Sequence, residues 1–105
     1  MDRIAIYGGT FNPIHNGHLH IATEFTDRLG VDRLLFIPTN VPPHKQPKSL
    51  QPAETRLEMC RLAVEETKFE VSDLEIRRKG ASYTVDTLEQ LAKIYPGSPL
   101  YLIVG

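Results

Sequence analysis

Short apolar runs alternate with stretches of helical spacing along this chain, with no internal repeat and no low-complexity tract. Ile4-Ala5-Ile6-Tyr7 reads as a buried strand entering a tight turn at Gly8-Gly9. From about Gly17 to Leu29, the positions Leu19, Ile21, Ala22, Phe25 and Leu29 recur at helical spacing, and Gly30 is a natural stop. Leu34-Leu35-Phe36-Ile37 is a second buried run, closed by Pro38. The irregular segment from Thr39 to Pro52 exceeds an ordinary connection between a strand and a helix, which marks it as functional. A second helix is predicted from about Pro52 to Glu66, with Leu57, Cys60 or the stem of Arg61, Leu62 and Val64 inward. Phe69 to Arg77 alternates moderately and predicts one strand or two short extended pieces. Ser82 to Tyr95 predicts a third helix, capped by Ser82 or Thr84 and striped by Val85, Leu88, Leu91, Ala92 and Tyr95. Leu100 to Val104 is a last buried strand.

This order of elements implies an α/β fold: a Rossmann-like parallel sheet with helices on its faces. Ligands in such folds bind outside the carboxyl ends of the strands, near the topological switch point. Gly8-Gly9, the loop after Ile37 and Gly105 all fall at that edge. The expected organisation is a single domain over residues 1–105, truncated after its fourth strand and incomplete at its C-terminus. Its open final strand edge predicts self-association into a homo-oligomer unless something covers it.

Composition narrows the class. With 105 residues, 41% hydrophobic and 24% charged, the chain has the make-up of one globular domain large enough for a core without staples. Twelve basic and thirteen acidic residues leave a net charge of −1, which argues against a general nucleic-acid binder or a polybasic membrane anchor. No apolar stretch is long enough to cross a bilayer, the start lacks a signal-peptide pattern, and Cys60 has no partner for an internal disulfide. A cytoplasmic location is expected.

The most informative stretch runs from Gly8 to His18, GGTFNPIHNGH. Two glycines let backbone N–H groups approach a bulky anion, Pro13 stiffens the turn, and Asn16 is a candidate helix cap. His15 and His18, three apart across a helix start, can point to one side and donate to phosphate oxygens beside a positive helix end. His20 lies off that side. The alternatives are a purely structural turn, or zinc held by His15, His18, His20 and His44; no placed cysteine or carboxylate completes a zinc site, and no resident metal is expected. Neither a P-loop nor a GxGxxG fingerprint is present, which excludes P-loop NTPases and typical dehydrogenases.

These residues carry the HxGH signature of the nucleotidyltransferase superfamily. Together with Pro42-Pro43-His44-Lys45, Ser82-Tyr83-Thr84-Val85-Asp86-Thr87-Leu88 and the closing Tyr101-Leu102-Ile103-Val104-Gly105, the chain resembles bacterial nicotinate-nucleotide adenylyltransferases. The resemblance covers essentially the whole chain but only the N-terminal part of the family's domain. It implies transfer of AMP from ATP, with Mg²⁺, to nicotinate mononucleotide, giving deamido-NAD and pyrophosphate in NAD biosynthesis. It further implies that His15, His18 and Lys45 are catalytic and that Gly8, Gly9, Thr10 and Phe11 hold ATP beside them. Tyr83 and Thr84 would recognise the nicotinate nucleotide through backbone N–H groups; a helix N-terminus favours a carboxylate over a neutral carboxamide.

Several residues have two readings. Lys45 is either a phosphate ligand, with His44 beside it, or a solvated lysine on a proline-rich loop. Arg56 either meets phosphate or pairs at the surface with Glu54 or Glu58. Asp86 either caps its turn or decorates the helix, and Arg77-Arg78-Lys79 reads as a solvated turn. The family carries an S-x-T-x-x-R segment beyond Gly105, and Asn12 stands where many members have Asp. The rivals are a non-catalytic nucleotide-binding fragment and a related adenylyl- or cytidylyltransferase.

Overall fold

A computed structural model describes residues 2–40, 49–78 and 84–103. Its elements in chain order are β1 (Ile4–Gly9), α1 (Asn16–Leu29), β2 (Arg33–Pro38), α2 (Ala53–Val64), β3 (Glu70–Val71), α3 (Leu74–Arg77), α4 (Thr84–Ile94) and β4 (Leu100–Ile103). Among the described residues the four strands form one parallel sheet in the order β3-β2-β1-β4. The sequence order therefore reverses direction between β1 and β4, which is the switch point of the sheet.

Alternation along β1 divides two cores. Ala5 and Tyr7 face α1 and α2, packing with Ala22, Phe36, Cys60 and Val64. Ile4 and Ile6 face α3 and α4, packing with Leu35, Ile37, Leu74 and Leu91. Helices thus cover both faces, as parallel strands buried on both sides require.

Four details depart from the sequence pattern. The β1 strand continues through Gly8 and Gly9, in register with Ile37 and Pro38, and the turn falls at Asn12-Pro13. A helix advances about 100° per residue, so Leu62 lies nearly opposite Cys60 and is 61% exposed; Arg56 takes its place on the inner line with Cys60 and Val64. By the same geometry the α4 stripe centres on Leu91 with Thr87, Leu88 and Tyr95, leaving Val85 65% exposed and Ala92 exposed. On α1 the buried pair is Ala22 and Thr26, whose hydroxyl donates to the Ala22 carbonyl at 2.8 Å, while Ile21 is exposed.

The stretch from Phe69 to Arg77 is only briefly extended. After β3, the Ser72 hydroxyl accepts from the Leu74 N–H at 3.3 Å and the chain turns into α3. Glu70 anchors the short strand by a bidentate pair with Arg33 (2.6 and 2.8 Å), whose guanidinium also stacks over the Tyr95 ring. That pairing holds the Glu70 carboxyl below its usual range and raises Arg33 further. The α1 helix ends at Gly30, whose φ of 62° puts it in the left-handed region that suits glycine.

Candidate functional site

The start of α1 is built by two histidines whose rings cap its free backbone N–H groups. The Gly17 N–H donates to Nδ1 of His15 at 3.0 Å, and the His15 N–H donates to Nδ1 of His18 at 3.0 Å. This is a capping box with imidazoles in the places usually taken by Ser or Thr and by Glu or Gln. The capping residue is His15, one position before the expected Asn16, which is itself the first residue of α1. Each Nδ1 is occupied as an acceptor, so the proton of each neutral ring stands on Nε2. The two rings lie 3.9 Å apart, centroid to centroid, and present two Nε2–H donors. His20 pairs outward with Glu24 at 3.9 Å on the exposed side of α1.

Gly17 is required by this arrangement. A Cβ there would stand 2.8 Å from Cε1 of His15 and 2.9 Å from its Nδ1. The third position of the His-Asn-Gly-His tetrad is therefore small because the first folds over it.

Below the histidines lies an aromatic platform. Phe11 is buried with φ of 48°, a strained value for a bulky residue, held there by edge contacts with Tyr7, Phe36 and His18 at 5.0 to 5.5 Å. A Cβ on Gly9 would meet the Phe11 ring at 3.2 Å. Partial burial, and then the neighbouring His15, lower the His18 pKa below its ordinary value.

On the opposite side of β1 a cleft of about 280 Å³ opens at the carboxyl edge, between β1, β4 and the first turn of α4. Gly8, Gly9, Thr10, Thr39, Thr84 and Glu75 line it. The structure thus brings the glycine pair and Thr10 together with Thr84 across the switch point. His15, His18 and Phe11 stand on the other side of the same strand end, joined to the cleft through Thr10. A Cβ on Gly8 would meet only the Ile37 carbonyl, at 3.9 Å, so its room is room in the cleft.

Arg56 serves neither reading proposed for it from sequence. Only 1% exposed, it donates to the carbonyls of Gln51 (3.0 Å), Thr10 (2.9 Å) and Thr39 (2.9 Å). It staples the turn after β1 to the segment after β2 and to the entry of α2, and burial lowers its pKa. Asn12 adds a second staple: its Nδ2 donates to the Ser49 carbonyl at 3.1 Å and its Oδ1 accepts from the Gln51 N–H at 2.9 Å. An aspartate could make only the second bond. Arg77 and Arg78 are not a bare solvated turn: Arg77 pairs with Asp73 at 2.7 Å, and Arg78 donates to Thr87 and Gln90.

His44 and Lys45, Ser82 and Tyr83, Lys79, and Val104 and Gly105 lie outside the described residues. Sequence reasoning missed Glu75 and Thr87, which meet in the cleft wall. An acidic residue between Leu74 and Ile76 was the one signal for the former.

A model of the cytidylyltransferase-like family matches residues 6–105. A probable nicotinate-nucleotide adenylyltransferase of Clostridium tetani is 48% identical over 106 residues, covering 100% of this chain and 53% of the relative. One from Desulfitobacterium hafniense is 49% identical over 104 residues, with 98% and 50% covered. One from Neisseria meningitidis serogroup A is 46% identical over 106 residues, with 100% and 53% covered. The chain spans about half the length of the curated relatives it matches. Among solved structures, the Plasmodium falciparum nicotinic acid mononucleotide adenylyltransferase complexed with NaAD superposes with a TM-score of 0.79 at 19% identity. That match covers 97% of this chain and 51% of the other, and it is a likeness of fold.

Proposed function

Since the chain belongs to the cytidylyltransferase-like family, we propose that its protein is a nicotinate-nucleotide adenylyltransferase acting in NAD biosynthesis in the cytoplasm. An oxygen of the 5′-phosphate of nicotinate mononucleotide attacks the α-phosphorus of Mg-ATP. The bond from that phosphorus to the bridging oxygen breaks, and pyrophosphate leaves with its electron pair. The nucleophile is already anionic near neutral pH, so the protein's task is in-line positioning and charge neutralisation.

The observation that carries this reading is the reciprocal histidine cap. It engages Nδ1 of both imidazoles as acceptors and leaves their Nε2–H groups as donors at a helix N-terminus. Such donors stabilise charge developing on the phosphates without reorganising during the reaction. In this assignment His15, His18 and Lys45 bind the triphosphate. Gly8, Gly9, Thr10 and Phe11 keep ATP against the end of β1. Thr84, which opens α4, and its sequence neighbour Tyr83 receive the nicotinate carboxylate. Magnesium arrives with the triphosphate as part of the substrate. Residues 1–105 act as one α/β unit, and self-association through β4 belongs to the same proposal. No helix among the described residues is long and apolar enough to cross a membrane.

The test is pyrophosphate release by the intact protein with Mg-ATP, nicotinate mononucleotide being compared with its nicotinamide counterpart. Faster release with the nicotinate substrate is expected. His15→Ala and His18→Ala should each lower kcat about a hundredfold with the fold retained. Wild-type turnover in both variants overturns the catalytic assignment.

A further inference from the structure

The cleft at the switch point holds one atom that the fold leaves unsatisfied. Glu75, on α3, is 6% exposed. Its Oε2 accepts from the Thr87 hydroxyl at 2.7 Å, and Thr87 in turn accepts from Arg78 at 3.0 Å. Its Oε1 is buried with no partner. Buried polar atoms are nearly always paired, and one left orphaned beside a cleft calls for a donor that enters the cleft.

We propose that Glu75 is a substrate-binding residue whose Oε1 accepts a hydrogen bond from a ribose hydroxyl of the acceptor mononucleotide. The proposal rests on the adenylyltransferase reading above. The chemistry of the substrate selects the group: the nicotinate carboxylate and the 5′-phosphate offer only acceptors, and the pyridinium nitrogen carries no hydrogen. The 2′- and 3′-hydroxyls are the donors that nicotinate mononucleotide possesses near neutral pH. Position selects the substrate. Thr84, assigned above to the nicotinate nucleotide, lines the same cleft as Glu75 and Thr87, whereas the histidines assigned to the triphosphate stand across β1. Glu75 would therefore do two things at once. Through Thr87 it fixes the first turn of α4, and through Oε1 it reads the sugar that this turn faces.

The experiment is calorimetric titration of the intact wild-type protein and its Glu75→Met variant. The ligands are nicotinate mononucleotide, its 2′-deoxy and 3′-deoxy forms, and Mg-ATP. The Met variant is expected to bind nicotinate mononucleotide about tenfold to a hundredfold more weakly, with the Kd for Mg-ATP changed less than about threefold. One deoxy analogue should show the same loss on the wild type and no additional loss on the variant. Met removes the orphaned acceptor but also the acceptor of the Thr87 hydroxyl, so the ligand-free variant should melt within about 8 °C of wild type; should it fail to fold, the deoxy analogues on wild type decide the matter. Equal binding of both deoxy analogues and the parent overturns the assignment and leaves water as the partner of Oε1. A loss confined to Mg-ATP also overturns it. If wild type binds Mg-ATP but neither binds nor turns over nicotinate mononucleotide, the adenylyltransferase reading falls with it; normal turnover with no deoxy effect sinks only the role of Glu75.

Discussion

His15 and Gly17 are sterically coupled: the imidazole that accepts the Gly17 N–H lies so close above it that a Cβ at position 17 would stand 2.8 Å from the ring. A ring at the end of a side chain can swing aside, so Gly17→Ala should displace His15 and leave the backbone in place. Losing the cap costs about 1 kcal/mol, and replacing glycine by alanine in a helix returns a similar amount. The expected outcome is a melting temperature within about 8 °C of wild type together with pyrophosphate release lowered at least about tenfold, as the misplaced donor requires. Unchanged turnover would show that the His15 position does not matter.

The His18 cap predicts an acid-sensitive fold. Its pKa is lowered in the folded state, first by burial and then by His15, from an ordinary value of 6.5. The unfolded chain therefore binds the proton more readily. The stabilisation is fully present above pH 6.5 and is lost as pH falls through the lowered folded value. Protonating Nδ1 also ejects the His15 N–H that it accepts. Urea midpoints should be lower at pH 5.5 than at pH 7.5. His18→Gln keeps an acceptor at the position where capping boxes use Gln, so it should preserve the cap and flatten that pH dependence. An equal pH response in wild type and variant would assign the effect to another group.

Arg56 predicts a different kind of variant, one whose damage is structural and then functional. Its three acceptors belong to three separate chain segments, and a lysine amine cannot reach all of them in the fork that guanidinium provides. Two half-buried carbonyls that lose a charged donor lower stability by on the order of 3 kcal/mol. Arg56→Lys should therefore melt well below wild type and show faster hydrogen exchange at the amides of Thr10 and Thr39. The Thr39 N–H is otherwise held by the Gly9 carbonyl at 2.9 Å. Wild-type exchange there would mean that the strand pairing, not the arginine, fixes these turns.

The parallel sheet, the carboxyl-edge site and the histidine pair were legible because they rest on local signals: apolar runs, glycine punctuation and spacing. What stayed illegible rests on pairings between segments distant in sequence. Arg56 carries no local mark of burial, because its neighbours Glu54 and Glu58 offer a surface alternative, and only the carbonyls of Thr10 and Thr39 decide it. Leu62 and Val85 are hydrophobic residues on the wrong side of their helices, where the phase set by Cys60 and Leu91 overrides composition. Glu75 was hidden because its partner, Thr87, is brought to it only by the docking of α4 on the sheet.

Cys60 offers a clean reporter for all of these variants. It is fully buried between α2 and the sheet, and burial pushes its thiol up to about 11 despite the opposing influence of nearby Arg56. The thiolate is the reactive form, so at pH 8 only about one thiol in a thousand is ionised even before access is considered. Iodoacetamide should leave the native protein unmodified over the time in which the denatured chain is fully alkylated. Labelling then proceeds only through opening of the α2 face, and its rate at fixed reagent follows the population of the open state. Arg56→Lys should accelerate it by about the factor by which stability falls, on the order of a hundredfold for 3 kcal/mol. Gly17→Ala, whose changes are confined to the start of α1, should leave it within a few-fold of wild type. Rapid labelling of the native wild-type protein would contradict the buried placement of Cys60 and with it the packing of α2 on β2.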